Sequence, residues 1–205
     1  MKTRHGFHVS KGNMKLGNIW NFSTLPGKTC APGVPCTFGC YAMKALRLYP
    51  QARTAWTENT DLLTAGHWAE FIEDLVDLIN NAKGGPLPYF RFSQAGDIFS
   101  QEYWDAVCNI ARQCKSTNFW AYTKQYDQLE EYIKGHKIPR NLCVILSVWH
   151  DFKPNEELAK KFPQAFYDDS TEEIPEGAFK CPGSCKDCKY CATMNTKNIV
   201  VFHKH

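Results

Sequence analysis

The stretch that decides the fold is PYFRFSQAGDIFSQEYWDAVCNIARQCKSTNFWAYT, residues 88–123. It opens with a run of strand-forming residues at 88–93, followed by a Gln-Ala-Gly-Asp loop. A helical pattern then runs over 101–114, and Ser100 is well placed to cap its first turn. The segment FWAYT, at 119–123, predicts the next strand. A strand, a helix and a second strand in such close succession form a βα unit, which favours a parallel sheet.

The same alternation continues on both sides of this stretch. Toward the carboxyl end we predict a helix at 126–134, a strand at 142–149 and a last strand at 198–202. The apolar run LCVILSVW at 142–149 indicates a strand buried on both faces. Toward the amino end the pattern predicts a strand at 17–22 and then helices at 40–49, 51–64 and 67–82. The five to seven candidate strands are fewer than eight, and 205 residues are fewer than the ~250 typical of a full barrel. We therefore predict an α/β fold that forms a small or partial (β/α) barrel.

Length and composition indicate one globular domain over 1–205, with 43% hydrophobic and 22% charged residues. We divide it into an amino-terminal arm at 1–17, a βα core at 18–150 and a cysteine-rich extension at 151–205. The sequence has neither an apolar run of ~18 residues nor a secretory signal, so we expect a cytoplasmic protein that does not bind membranes. The net charge of +3 gives no strong nucleic-acid signal.

The chain has ten cysteines, which a reducing cytoplasm would not join into disulfides. Seven of them form two groups. The amino-terminal group, with the spacing CX5CX3C, consists of Cys30, Cys36 and Cys40. The carboxyl-terminal group, with the spacing CX3CX2CX2C, consists of Cys181, Cys185, Cys188 and Cys191. The other three, Cys108, Cys114 and Cys143, fall inside predicted elements, so we predict that they pack as small apolar residues.

The carboxyl-terminal group carries the stronger signal because four thiols fall within eleven residues of a polar loop. A structural zinc ion usually takes two separated pairs of cysteines, whereas spacings of two, two and three are typical of ferredoxin clusters. We therefore predict an iron–sulfur cluster, most simply [4Fe–4S], with zinc as the alternative.

The amino-terminal group supplies three thiolates, enough to hold a cubane cluster with one open iron. Two allocations of the seven cysteines are then open. Either each group holds its own cluster, or Cys181 completes the first cluster and leaves three ligands for the second. A single cluster that uses four of the seven is a third alternative.

Two further residues are candidates for cofactor binding. Asp97 follows the strand at 88–93, where it could orient a ligand or simply cap the next turn. Arg91 alternates with phenylalanines on that strand, so it could pair with a cluster or a carboxylate, or else with a buried acid. The chain contains no Walker loop and no GxGxxG, HExxH or GxSxG motif, which removes the common nucleotide-binding, metalloprotease and hydrolase assignments.

Several blocks in order, TCAPGVPCTFGCYA, FRFSQAGDIFSQEYWDAVCNIA and FWAYTK, resemble the phage gene product 88-like family. The three-cysteine loop ahead of βα units also resembles the radical S-adenosylmethionine superfamily, although the usual spacing there is CX3CX2C. The first resemblance implies a viral iron–sulfur protein acting in an infected host cell. The second implies S-adenosylmethionine as a further cofactor. We also expect the cysteine-rich run at 181–191 to pack at the cluster face, and we expect an unidentified small-molecule or redox partner. A non-catalytic protein with a structural or sensory cluster or zinc site is the alternative.

Overall fold

The computed structural model describes residues 1–170 and 173–203 and shows a mixed α/β fold. Residues 171–172 and 204–205 of the predicted extension lie outside the described residues. The strands are β1 (Val9–Ser10), β2 (Trp20–Phe22), β3 (Tyr89–Phe92), β4 (Asn118–Thr123), β5 (Leu142–Val148), β6 (Gln164–Asp168), β7 (Phe179–Lys180) and β8 (Ile199–His203). The α-helices are α1 (Tyr41–Leu48), α2 (Pro50–Thr64), α3 (Trp68–Asn80), α4 (Gln101–Gln113), α5 (Tyr126–Gly135), α6 (Glu156–Lys161) and α7 (Cys185–Cys188).

The eight strands form one sheet in the order β1-β2-β3-β4-β5-β6-β8-β7. The neighbours from β2 to β7 pair in parallel, and only β1 pairs antiparallel, with β2. The predicted α/β class with a mostly parallel sheet is therefore confirmed. The two edge strands do not pair with each other, so the sheet is open and no barrel is closed.

Side chains alternate between the two faces of the sheet, which separates a helix-covered face from an opposite face. On β3, Phe90 and Phe92 are fully buried in the core shared with helices α3 and α4. Arg91, between them, points to the opposite face because successive strand residues point to opposite sides. On β5 the adjacent Ile145 and Leu146 are both fully buried, as predicted for a strand covered on both faces.

The opposite face is covered by the carboxyl-terminal extension and by part of the amino-terminal arm. Trp120, Ile145 and Val200 of the sheet form a second apolar core there with Leu16 and Met194. The arm also contributes Phe7 and Val9 to the helix-side core, and both are almost completely buried. The arm and the extension therefore pack against both faces of the βα core.

The sequence pattern predicts no helix at α6, which lies in the extension. The helix has only six residues, too short for a clear apolar period, but Asn155 caps it by accepting a hydrogen bond from the Leu158 backbone N–H at 2.9 Å. The predicted cap of α4 is confirmed, since the Ser100 hydroxyl accepts a hydrogen bond from the Tyr103 N–H. Within the described ranges, none of the helices has the length and apolar character needed to cross a bilayer.

Candidate functional site

A cavity of about 710 Å³ lies against the opposite face of the sheet and extends to the carboxyl ends of the strands. Both cysteine groups line it, although the chain between Cys40 and Cys181 contains most of the sheet. The thiols at the cavity wall are those of Cys30, Cys36, Cys40, Cys181, Cys185, Cys188 and Cys191, and each is free rather than in a disulfide. The fold thus brings together the seven cysteines that the sequence singled out.

Two buried threonines, Thr24 and Thr29, help to fix the amino-terminal cysteine loop. The Thr24 and Thr29 hydroxyls hydrogen-bond to each other at 3.0 Å, and Thr29 also donates to the Leu25 carbonyl at 3.0 Å. The Gly27 N–H points to Cys30 Sγ at 3.4 Å. A 3₁₀ turn at Pro35–Gly39 then leads to Cys40, which is the N-cap residue of α1. These hydrogen bonds define the path of the loop around Cys30.

The carboxyl-terminal cysteine segment is fixed to the sheet edge and to the amino-terminal arm. The Cys181 N–H donates to the Val201 carbonyl of β8 at 2.9 Å, and the Cys185 N–H donates to the Lys15 carbonyl at 2.8 Å. Lys189 adopts the left-handed conformation, with φ of 54°, where α7 ends. These bonds explain why a segment with little regular structure has a defined path over the cavity.

The thiols respond electrostatically to neighbours in their own group. Burial raises the pKa of the Cys30 thiol, and the nearby thiols of Cys36 and Cys40 raise it further. In the other group, burial raises the pKa of Cys185, with Arg91 opposing that shift, and raises the pKa of Cys191 to about 11. The thiols within each group are therefore electrostatic neighbours of one another.

Arg91 points into the cavity from the middle of the sheet. Its guanidinium carbon lies 5.0 Å from the centre of the Tyr122 ring on the neighbouring strand. Its Nε atom is buried and has no hydrogen-bond partner among the residues that the structure describes, and none of their ion pairs uses Arg91. The Arg91 side chain is half-buried, and a buried guanidinium nitrogen ordinarily has an acceptor, so the cavity offers room for a hydrogen-bond acceptor beside Arg91.

Asp97 lies at the same cavity but is held by the protein itself. One carboxylate oxygen accepts a hydrogen bond from the Ile98 N–H and the other accepts one from the Lys124 N–H, both at 2.8 Å. Its own N–H donates to the Thr29 hydroxyl at 3.2 Å. Burial raises the pKa of Asp97 to about 6. The carboxylate therefore connects the loop after β3 to the end of β4, and the backbone N–H of Asp97 connects the same loop to the amino-terminal cysteine loop.

Other residues reach the cavity without a clear signal in the sequence. Tyr122 lines the cavity because its side chain lies on the opposite face of the sheet, and Lys15 lines it because the arm folds over that face. Trp149 and Tyr167, whose rings stack 3.9 Å apart, line the wall at the ends of β5 and β6. Ser93, Gln94 and Lys124 also line the cavity, and like Trp149 they lie just after the carboxyl ends of parallel strands, where ligand sites are expected.

The three remaining cysteines divide into two kinds. Cys108 of α4 and Cys114, the C-cap residue of that helix, are fully buried in the helix-side core, consistent with the predicted packing role. Cys143 lies on the opposite face, where its thiol contacts the Met194 carbonyl at 3.5 Å and the Cys191 thiol is an electrostatic neighbour. Burial raises the pKa of Cys143 to about 12, so the thiol stays protonated.

Within residues 1–170 and 173–203, no three His, Cys, Asp or Glu side chains form a group suited to a single metal ion. The cysteines surround a cavity rather than a point.

Comparison with known proteins relates the sequence of this chain to a phage family. The profile of the family described as Gene product 88 matches residues 2–202. Relatives include the Gene 88 proteins of Mycobacterium phage D29 and Mycobacterium phage L5, which are 29% and 28% identical over 134 residues. Each alignment covers 60% of this chain and 55% of the relative, so the chain spans about half the length of these curated relatives. No solved structure gives a significant match. Because the profile covers nearly the whole sequence, the chain belongs to the Gene product 88 family.

Proposed function

We propose that this protein binds iron–sulfur clusters through the seven cysteines that line its cavity. One observation carries the proposal: two cysteine groups far apart in sequence, both free of disulfides, line the same cavity at the carboxyl ends of a parallel sheet. Ligand sites in open α/β sheets occur in this position. Thiolates are soft ligands that select iron–sulfur clusters, zinc or copper over hard cations.

The geometry favours a cluster over a single zinc ion. Zinc needs four ligands at ~2.0–2.3 Å around one point, and no such group exists within the described residues. A cubane cluster distributes its irons over a larger volume, so its cysteine ligands lie farther apart and can surround a cavity. The donor set and the size of the cavity therefore fit a cluster better than an ion.

The electrostatic neighbours support an allocation with one cluster per group. Cys30 is influenced by Cys36 and Cys40, whereas Cys191 is influenced by Cys181 and Cys185. On this basis we assign Cys181 to the carboxyl-terminal site rather than to the amino-terminal site. This allocation gives a three-cysteine site with one open iron and a four-cysteine site that is closed.

The surrounding charges suit anionic clusters held by thiolates. Arg91 lies near Cys185 and Cys191, and Lys124 lies near Cys36, so each group has a cation that lowers the pKa of its thiols. Asp97 positions the amino-terminal loop through Thr29. When bound, the clusters would supply one-electron transfer, and the open iron could bind a small molecule. An open sheet of this kind is compatible with a partial barrel of the radical S-adenosylmethionine type.

Metal analysis of protein purified without air tests the proposal directly. We expect a brown protein with about eight iron and eight sulfide per chain, since two cubanes hold four of each. The variants Cys40→Ala and Cys191→Ala should each lose about half of the iron. The matched control, Cys108→Ala, removes a thiol from the helix-side core and should leave the iron unchanged.

Three outcomes would contradict the proposal or its details. A colourless protein with stoichiometric zinc would replace cluster binding with a structural zinc site. Unchanged iron in both Cys40→Ala and Cys191→Ala would show that the cavity does not hold the metal. Addition of S-adenosylmethionine to the reduced protein tests the catalytic version: no spectral change and no cleavage of the molecule would favour a non-catalytic structural or sensory role.

A further inference from the structure

The lysines and the arginine that line the cavity pack on aromatic rings rather than on acids. These four side chains are Lys15, Arg91, Lys124 and Lys189, and each lies over a ring. None of the ion pairs formed within the described part of the chain involves them. An aromatic ring attracts a cation but carries no net charge, so it leaves the positive charge of that cation uncompensated.

Two of these cations are joined by one pair of aromatic rings. Lys15 Nζ lies 5.4 Å from the centre of the Phe202 ring, and the Arg91 guanidinium carbon lies 5.0 Å from the centre of the Tyr122 ring. The Phe202 and Tyr122 rings meet edge to face, with their centres 5.7 Å apart. All four side chains line the cavity, and we refer to them as the Lys15–Arg91 site.

The two cations of the Lys15–Arg91 site also act on the same thiol. Lys15 and Arg91 each oppose the rise in the pKa of Cys185 that burial causes, so both charges lie near that sulfur. The four side chains of the site are half-buried, and the buried Arg91 Nε has no acceptor among the described residues. Like charges in a concave wall of low dielectric produce a strong local field, and a buried donor ordinarily has an acceptor. The site therefore has the charge and the free donor that bind an anionic group.

The rest of the cavity wall suits an apolar, flat molecule. Trp120 and Val200 lie on the sheet beside the site, and the stacked rings of Trp149 and Tyr167 line the wall at the strand ends. Aromatic side chains pack well against a planar ring. The cavity volume of about 710 Å³ lies in the range of pockets that enclose small organic molecules. An inorganic anion alone would leave most of this volume unused.

We propose that the cavity binds a small organic phosphate that carries a planar ring, with its phosphate group between Lys15 and Arg91. A phosphate monoester has a charge of about −1.5 to −2 at neutral pH, so it compensates both cations, whereas a monocarboxylate compensates one. The guanidinium group presents paired N–H donors that match phosphate oxygens. The inference does not rest on the proposed function, because these contacts require no iron.

Calorimetric titration of the full chain, purified without air, with adenosine 5′-monophosphate (AMP) tests the proposal. Adenosine supplies the ring without the charge, and inorganic phosphate supplies the charge without the ring. The test variants are Lys15→Gln and Arg91→Gln. The matched control is Lys11→Gln, which removes a cation that lies 5.1 Å from the centre of the Trp20 ring, outside the cavity.

We expect the wild type to bind AMP at least about tenfold more tightly than adenosine or inorganic phosphate. Each test variant should weaken AMP binding about tenfold and leave adenosine binding unchanged, and Lys11→Gln should change AMP binding less than about twofold. Circular dichroism establishes that the variants are folded. Arg91→Lys, which keeps the charge but not the paired donors, should recover part of the lost affinity.

Three results would overturn the proposal. The first is no saturable binding of AMP to the wild type up to about 5 mM. The second is an affinity for AMP no higher than that for adenosine. The third is equal weakening by the control and by both test variants, which would assign the effect to overall charge.

Iron measured on the same sample keeps this test separate from the test of cluster binding. AMP binding by protein without iron supports the inference while the proposed function fails. Iron in protein that does not bind AMP supports the proposed function and overturns the inference.

Discussion

Replacing Gly96 with alanine should destabilise the fold where the loop after β3 packs against the amino-terminal cysteine loop. Gly96 has a φ of +72°, and a Cβ atom there would lie 2.2 Å from Thr24 Oγ1 and 2.4 Å from Thr29 Oγ1. It would also lie 2.9 Å from the Thr24 carbonyl oxygen, which as backbone cannot rotate away. The two hydroxyls would have to turn, and the hydrogen bond between them would break.

The structure allows the cost to be separated into strain and crowding. The left-handed conformation costs an alanine about 1 kcal/mol relative to glycine. Crowding in a packed interior adds about 1–3 kcal/mol, and the lost buried hydrogen bond adds about 1 kcal/mol. We therefore expect a loss of about 3–5 kcal/mol in the free energy of unfolding for Gly96→Ala.

Gly33→Ala is the matched control for backbone strain. Gly33 has nearly the same φ, +71°, but a Cβ atom there would meet nothing within 4 Å. This variant should lose only about 1 kcal/mol. The assay is urea denaturation of the iron-free proteins at neutral pH, followed by circular dichroism. If the losses in the free energy of unfolding of Gly96→Ala and Gly33→Ala agree within about 0.5 kcal/mol, the reasoning is refuted, because crowding by the two threonines would then contribute nothing.

Three further predictions concern side chains that hold the site and its scaffold. Because Asp97 keeps a proton up to a pKa of about 6 when folded, against about 3.8 unfolded, stability should fall by up to about 3 kcal/mol as pH rises between these values. Unfolding of iron-free Asp97→Asn measured from pH 4 to 7 should lack that slope, and an unchanged slope would assign the titration elsewhere. Ser100→Ala should cost about 1 kcal/mol by removing the α4 cap, Ser100→Asp should restore most of it, and equal stability of both variants would exclude capping as the cause. Asn59→Ala should cost about 2–4 kcal/mol, because the buried amide donates to the carbonyls of His8 and Ser23 and accepts from the His8 N–H; a loss below about 1 kcal/mol in thermal unfolding would argue against this anchor of the arm.

Sequence reasoning succeeded where local chemistry decides the outcome. The helix cap at Ser100 and the buried strand β5 are properties of neighbouring residues, so the pattern alone predicts them. The extension was harder, because α6 and β7 are short and depend on contacts with distant strands. The electrostatic setting of Asp97 was also inaccessible, since the N–H groups that hold its carboxylate come from two separate segments.

The sequence by itself determined the order of strands and helices between residues 88 and 148, the parallel character of the sheet and the seven cysteines that merit attention. These follow from periodicity, spacing and residue chemistry within short windows. Only the tertiary structure decided that the sheet stays open, that both cysteine groups line one cavity, and that Arg91 reaches this cavity with an Nε atom that has no hydrogen-bond partner among the described residues. The physical reason is that these features depend on long-range pairing: the extension reaches the cavity because β8 pairs beside β6 and because the Lys15 carbonyl of the arm accepts a hydrogen bond from Cys185. No local window of the sequence contains both partners of such contacts.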